Sequence, residues 1–76
     1  MDLKKAFGRA LREFREAKDL SQEALAFEAD LDRTYISLLE RGIRQPSLGT
    51  VFSLAQALSC KAVDLVATVE KYQKRG

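Results

Sequence analysis

Histidine is absent from this chain, and cysteine occurs once, at Cys60. Without an imidazole, Ser/His/Asp and Cys/His catalytic arrangements cannot be assembled. A lone thiol forms no internal disulfide, and a zinc-finger ligand set is out of reach. Nothing near Cys60 in the sequence lowers a thiol pKa, so it reads as a small, buried or half-buried residue rather than a redox group. No glycine-rich phosphate loop is present, and Gly8 reads as a close-packing position inside a helix. No apolar run approaches the roughly 20 residues that a membrane span requires. Met1 to Ala10 alternates charged with apolar residues, unlike a signal peptide. These absences predict a reduced, cytoplasmic protein that is not an enzyme. No cofactor, metal, membrane or small-molecule ligand is expected.

What is present is 76 residues, 46% of them apolar and 32% charged. That composition fits one soluble globular domain over residues 1–76, with no room for a sensor or self-cleavage domain. A domain of this size buries only about 60% of its unfolded surface, which favours a partner subunit. The net charge of +2 conceals an uneven distribution. Residues 1–15 carry +3, residues 16–32 carry −5, and residues 33–47 and 48–76 carry +2 each. An acidic block thus lies between basic ones, either as ordinary solvated helix faces or as functional patches.

Apolar spacing predicts five helices and no strand, an all-α compact domain. Leu3, Phe7, Ala10, Leu11 and Phe14 outline an amphipathic helix over 2–18. Ser21 caps a second helix with Gln22, Leu25, Ala26 and Ala29 inward. Asp32 caps a third, with Ile36 and Leu39 inward and Gly42 closing it in the left-handed conformation. Ser47 caps a fourth, with Leu48, Val51, Leu54, Ala55 and Leu58 inward. Ala62, Leu65, Val66, Val69 and Tyr72 outline a fifth over about 62–74, fraying into Lys74, Arg75 and Gly76.

Gln22 to Arg41 is the informative stretch. Two short helices joined by a tight turn need a small residue where they cross, here Ala26. They also need a residue at 30 that tolerates the turn, and Leu31, Ile36 and Leu39 to lock them together. That is the logic of a helix-turn-helix, whose second helix is free to enter a DNA major groove. The chain resembles the lambda-repressor/Cro-type (XRE) DNA-binding domain over about Phe7 to Leu65. The resemblance rests on Ser21-Gln22-Glu23, Leu25-Ala26, Leu31-Asp32-Arg33-Thr34-Tyr35-Ile36-Ser37, Glu40-Arg41-Gly42 and Pro46-Ser47, in order and at the family's spacing. Asp30 departs from the glycine usual in the family's turn, although Asp tolerates the left-handed region better than most residues.

The resemblance implies a sequence-specific transcription regulator, similar to short restriction–modification controller proteins and Cro-type regulators. Arg33, Thr34, Ser37 and Leu38 would read bases; a guanidinium at Arg33 can fork onto guanine O6 and N7. Leu38 would meet a thymine methyl or, alternatively, pack on the loop near Ile43. Gln22, Tyr35, Arg41, Arg44, Gln45 and Ser47 would hold phosphates, which positions the domain without reading sequence. Tyr35 also reads as a half-buried core residue and Arg44 as a plain surface charge. Arg15 and Glu40 match a pair that links the first helix to the recognition helix in relatives, with Arg15 a further phosphate candidate.

The implied partner is a palindromic double-stranded operator bound by a homodimer. Val63, Val66, Val69 and Tyr72 would supply the dimer surface once Leu65 has joined the core. Glu23 matches a position in an acidic patch that touches RNA polymerase in the lambda-repressor relative, with Phe27 as its neighbour there and Glu28 beside it. An antitoxin or other protein-interaction module built on the same fold is the alternative.

Overall fold

The computed structural model describes residues 1–74. They form α1 (Leu3–Ala17), α2 (Gln22–Ala29), α3 (Arg33–Glu40), α4 (Leu48–Ala57) and α5 (Ala62–Lys74), with no strand among the described residues. The expected fraying at Arg75 and Gly76 lies outside that range.

Side-chain caps set most of the helix starts. Ser21 accepts from the Ala24 N–H at 3.0 Å, Asp32 from Thr34 at 3.3 Å and Ser47 from Thr50 at 3.1 Å. Each satisfies a backbone donor that the helix itself leaves unpaired. Asp2, expected as the first residue of α1, lies outside it and caps it through the Lys5 N–H at 2.9 Å.

Helix ends share one device. Asp19, Asp30, Gly42 and Ser59 all take positive φ, between 55° and 74°. After each, the next N–H reaches back to a carbonyl of the last turn: Leu20 to Arg15, Leu31 to Ala26, Ile43 to Leu38 and Cys60 to Ala55. This is the left-handed helix stop that usually takes glycine. Here only Gly42 is glycine.

The core joins Phe7, Ala10 and Leu11 of α1 to Leu25, Ala26, Ile36, Leu39, Leu54, Leu58 and Leu65. α1 packs on α3 and α5, α2 on α3 and α4, and α4 on α5. Ala26 is buried, as a close crossing of helices requires. Gly8 marks another crossing, since a Cβ there would lie 2.4 Å from the Leu39 carbonyl oxygen. Two residues expected inward are not: Leu3 is exposed, and Leu48 is 72% exposed. Both sit in the first turn of their helices, beyond the layer that the other helices cover.

Candidate nucleic-acid interface

The third helix, α3, is short and held from one side. Ile36 and Leu39 are buried, and Tyr35 is half-buried against the core. Positions i, i+1, i+4 and i+5 share a helix face, so Arg33, Thr34, Ser37 and Leu38 fall together on the other side. Arg33 and Thr34 are exposed in the first turn; Ser37 and Leu38 are half-buried a turn further on. The Leu38 carbonyl accepts from the Ile43 and Arg44 N–H groups at 3.0 and 3.4 Å, folding the following loop back onto this end of α3.

A nearly buried polar cluster fixes α3 to the first two helices. Arg15 Nε donates to Glu40 Oε2 at 2.7 Å, and Arg15 Nη2 donates to Glu40 Oε1 at 3.0 Å. Arg15 Nη1 donates to the Leu20 carbonyl at 2.8 Å. Gln22 Nε2 adds a third hydrogen bond to the carboxylate, at 3.0 Å from Oε1. The Arg15 and Glu40 side chains are 11% and 5% exposed. The Glu40 hydrogen bond raises the Arg15 pKa, opposed by desolvation and reinforced by the charges of Glu40 and Glu16. The expected Arg15–Glu40 pair is therefore present. Arg15, the further phosphate candidate, gives three of its five N–H donors to Glu40 and Leu20. Sequence reading missed the Gln22–Glu40 bond, which joins residues 18 positions apart and leaves no local pattern.

The other phosphate candidates lie around α3. Arg41, Arg44 and Gln45 are exposed on the α3–α4 connection. Ser47 is exposed too, but its hydroxyl is engaged with Thr50 as the α4 cap. Gln22 is half-buried at the first position of α2.

The dimer candidates divide. Val63 and Val66 are exposed, whereas Val69 is 5% exposed and belongs to the core. Tyr72 packs against that core, donates a hydrogen bond to Glu13, and lies under Arg9 with the guanidinium carbon 5.6 Å from the ring centroid. The expectation that Val69 and Tyr72 form a free apolar surface is corrected: α1 covers that side of α5. Exposed apolar residues on the last two helices are Leu48 and Phe52 of α4 and Val63 and Val66 of α5; Leu3 of α1, Phe27 of α2, Met1 and Ile43 are exposed elsewhere. Leu3 and Val66 line a shallow groove with Phe7, Pro46, Val51 and Val69. Leu48 and Phe52 would have been found by asking which helix face keeps an apolar residue after the core is filled.

A five-helix domain that presents one face of a short, rigidly held helix, with arginines beside it, is a helix-turn-helix domain of the lambda-repressor/Cro (XRE) type. The chain matches the helix-turn-helix family over residues 11–65 and belongs to it. Members of this family are DNA-binding transcription regulators, not enzymes. The chain is 48% identical over 61 residues to control protein C.BamHI of Bacillus amyloliquefaciens, covering 79% of this chain and 75% of that relative. Its fold is similar to the restriction-modification controller protein C.AhdI from Aeromonas hydrophila, with TM-score 0.78 and 49% identity over 80% of this chain and 92% of that one. It is also similar to the controller protein C.Esp1396I, seen as a tetramer in complex with its natural 35 base-pair operator. That match has TM-score 0.86 and 28% identity over 95% of each chain.

Proposed function

We propose that this chain binds a palindromic operator as a homodimer and regulates transcription there. One α3 from each copy enters the major groove, with Arg33, Thr34, Ser37 and Leu38 at the base edges. Gln22, Tyr35, Arg41, Arg44, Gln45 and Ser47 hold the flanking phosphates. The observation that carries this reading is the recognition helix itself: its inner side is locked by Ile36, Leu39 and the Arg15–Glu40 pair, while Arg33 and Thr34 stand exposed. The operator complex of C.Esp1396I supports it by likeness.

A single module of this kind buries roughly 600–1,000 Å² on DNA, and two copies reading half-sites about 34 Å apart multiply affinity. Leu48, Phe52, Val63 and Val66 are the surface we assign to the dimer, because the chain itself leaves them uncovered. Occupancy then follows protein concentration through dimerisation, in the cytoplasm, where the operator is. No single described helix is long and apolar enough to cross a membrane. RNA polymerase is the second proposed partner, met through Glu23, Phe27 and Glu28. All three are exposed on α2, and Phe27 is 83% exposed. Glu23→Lys would abolish activation while sparing operator binding; equal loss of both would remove this partner.

Selection of bound duplexes from a random pool tests the main reading. It should return an inverted repeat whose affinity falls steeply with salt, because phosphate contacts release counterions. Recovery of no shared sequence would overturn it.

A further inference from the structure

Glu40 does more than anchor α3 to α1. Its carboxylate is nearly buried and accepts three hydrogen bonds, two from Arg15 and one from Gln22 Nε2. An ionised carboxylate only accepts, so the Gln22 amide must turn its nitrogen, not its oxygen, toward Glu40. An amide whose orientation is normally ambiguous is thereby fixed. Nε2 carries two N–H groups. One is spent on Glu40, and the planar amide then holds the second in a fixed direction, at the first position of α2.

We infer that Glu40 is a positioning residue for DNA binding, presetting the Gln22 side-chain amide as a phosphate donor before DNA arrives. The inference rests on the reading of Gln22 as a phosphate contact. Glutamine is among the side chains that lose most rotamer freedom on being ordered, and that loss is met on folding rather than on binding. Arg15 has a second part: paired with Glu40 at 2.7 Å, it neutralises a negative charge that would otherwise oppose the phosphate. Glu40 is also the last residue of α3. The backbone anchor on α2 and the base-reading helix are thus parts of one rigid body, and the phosphate grip sets the register of Arg33 and Thr34.

The test is a double-mutant cycle on affinity for the selected operator duplex, using Gln22→Ala, Glu40→Gln and both together in the full chain. Gln22→Ala is expected to weaken binding by about five- to tenfold, the usual scale of one hydrogen bond. Glu40→Gln should weaken wild type by a similar factor and the Gln22→Ala protein by less than about twofold. An equal loss in both backgrounds overturns the positioning role while leaving the Gln22 contact standing. Unchanged affinity in Gln22→Ala removes the phosphate contact itself, and this inference with it. If Glu40→Gln does not fold, side-chain amide exchange in free wild-type protein decides. One Gln22 Nε2 proton should exchange several-fold more slowly than those of the exposed Gln56 and Gln73. Equal exchange rates overturn the inference.

Discussion

Gly8 of α1 and Leu39 of α3 meet backbone to backbone, with so little space that a Cβ on Gly8 would lie 2.4 Å from the Leu39 carbonyl oxygen and 2.6 Å from that of Glu40. Neither oxygen can move aside as a flexible side chain would. Gly8→Ala is expected to cost about 3 kcal/mol, the upper end for overpacking, and to lower the melting temperature by roughly 10 °C or more. Thermal unfolding followed by circular dichroism checks this. An unchanged melt would mean that α1 and α3 separate freely.

Arg33 and Arg44 are predicted to fail differently. Arg33→Ala should cost about 1–3 kcal/mol of operator affinity and relax preference at one base position. Arg44→Ala should weaken all duplexes alike and reduce the salt slope by about one. Titration against the selected operator and single-base variants separates them. An Arg33→Ala protein with full affinity and preference would mean that another face reads the bases.

For the dimer, Phe52→Glu should yield a folded monomer by sedimentation, because Phe52 is exposed and available to a partner. Val69→Glu should instead unfold the domain, since it puts an unpaired charge into the core. A persistent Phe52→Glu dimer would place the interface elsewhere.

How far the sequence could be read follows from the range of each signal. The caps at Ser21, Asp32 and Ser47 were legible because capping is decided within three residues. The left-handed ends at Asp19 and Ser59 were not, since no glycine marks them. Periodicity identified the apolar faces of α4 and α5, but it does not say what covers a face. Leu48 therefore emerged outside and Val69 inside. The Arg15–Glu40 pair was accessible only through family resemblance. The Gln22–Glu40 and Tyr72–Glu13 bonds, formed across different helices, left no mark on spacing.

Asp30 holds a conformation, at φ 56° and ψ 45°, that glycine adopts more easily. Asp30→Gly should stabilise the domain by about 0.5 kcal/mol, the relief of left-handed strain exceeding the added freedom of the unfolded chain. The melting temperature should rise by roughly 2–4 °C. A fall would mean that the aspartate favours this turn more than its backbone cost.

Burial pushes the Cys60 thiol pKa up, Asp64 adds to this, and Lys18 partly offsets it. Folding therefore favours the neutral thiol. The associated stability is present below the ordinary thiol pKa and is lost as pH rises through the higher folded value. Alkylation at pH 8 should be slower in the native protein than in the urea-unfolded chain, and Cys60→Ala should flatten the alkaline loss of stability. Equal alkylation rates in both states would contradict this.

The shielding of Arg15 and Glu40 has a consequence for ionic strength. Dissolved ions screen exposed charges far more than buried pairs. Arg33, Arg41 and Arg44 stand in solvent, whereas the guanidinium and carboxylate joining α1 to α3 do not. Salt therefore loosens the grip on DNA without loosening the hand. The slope of a salt titration on this protein counts phosphates, uncontaminated by any softening of the fold that presents them.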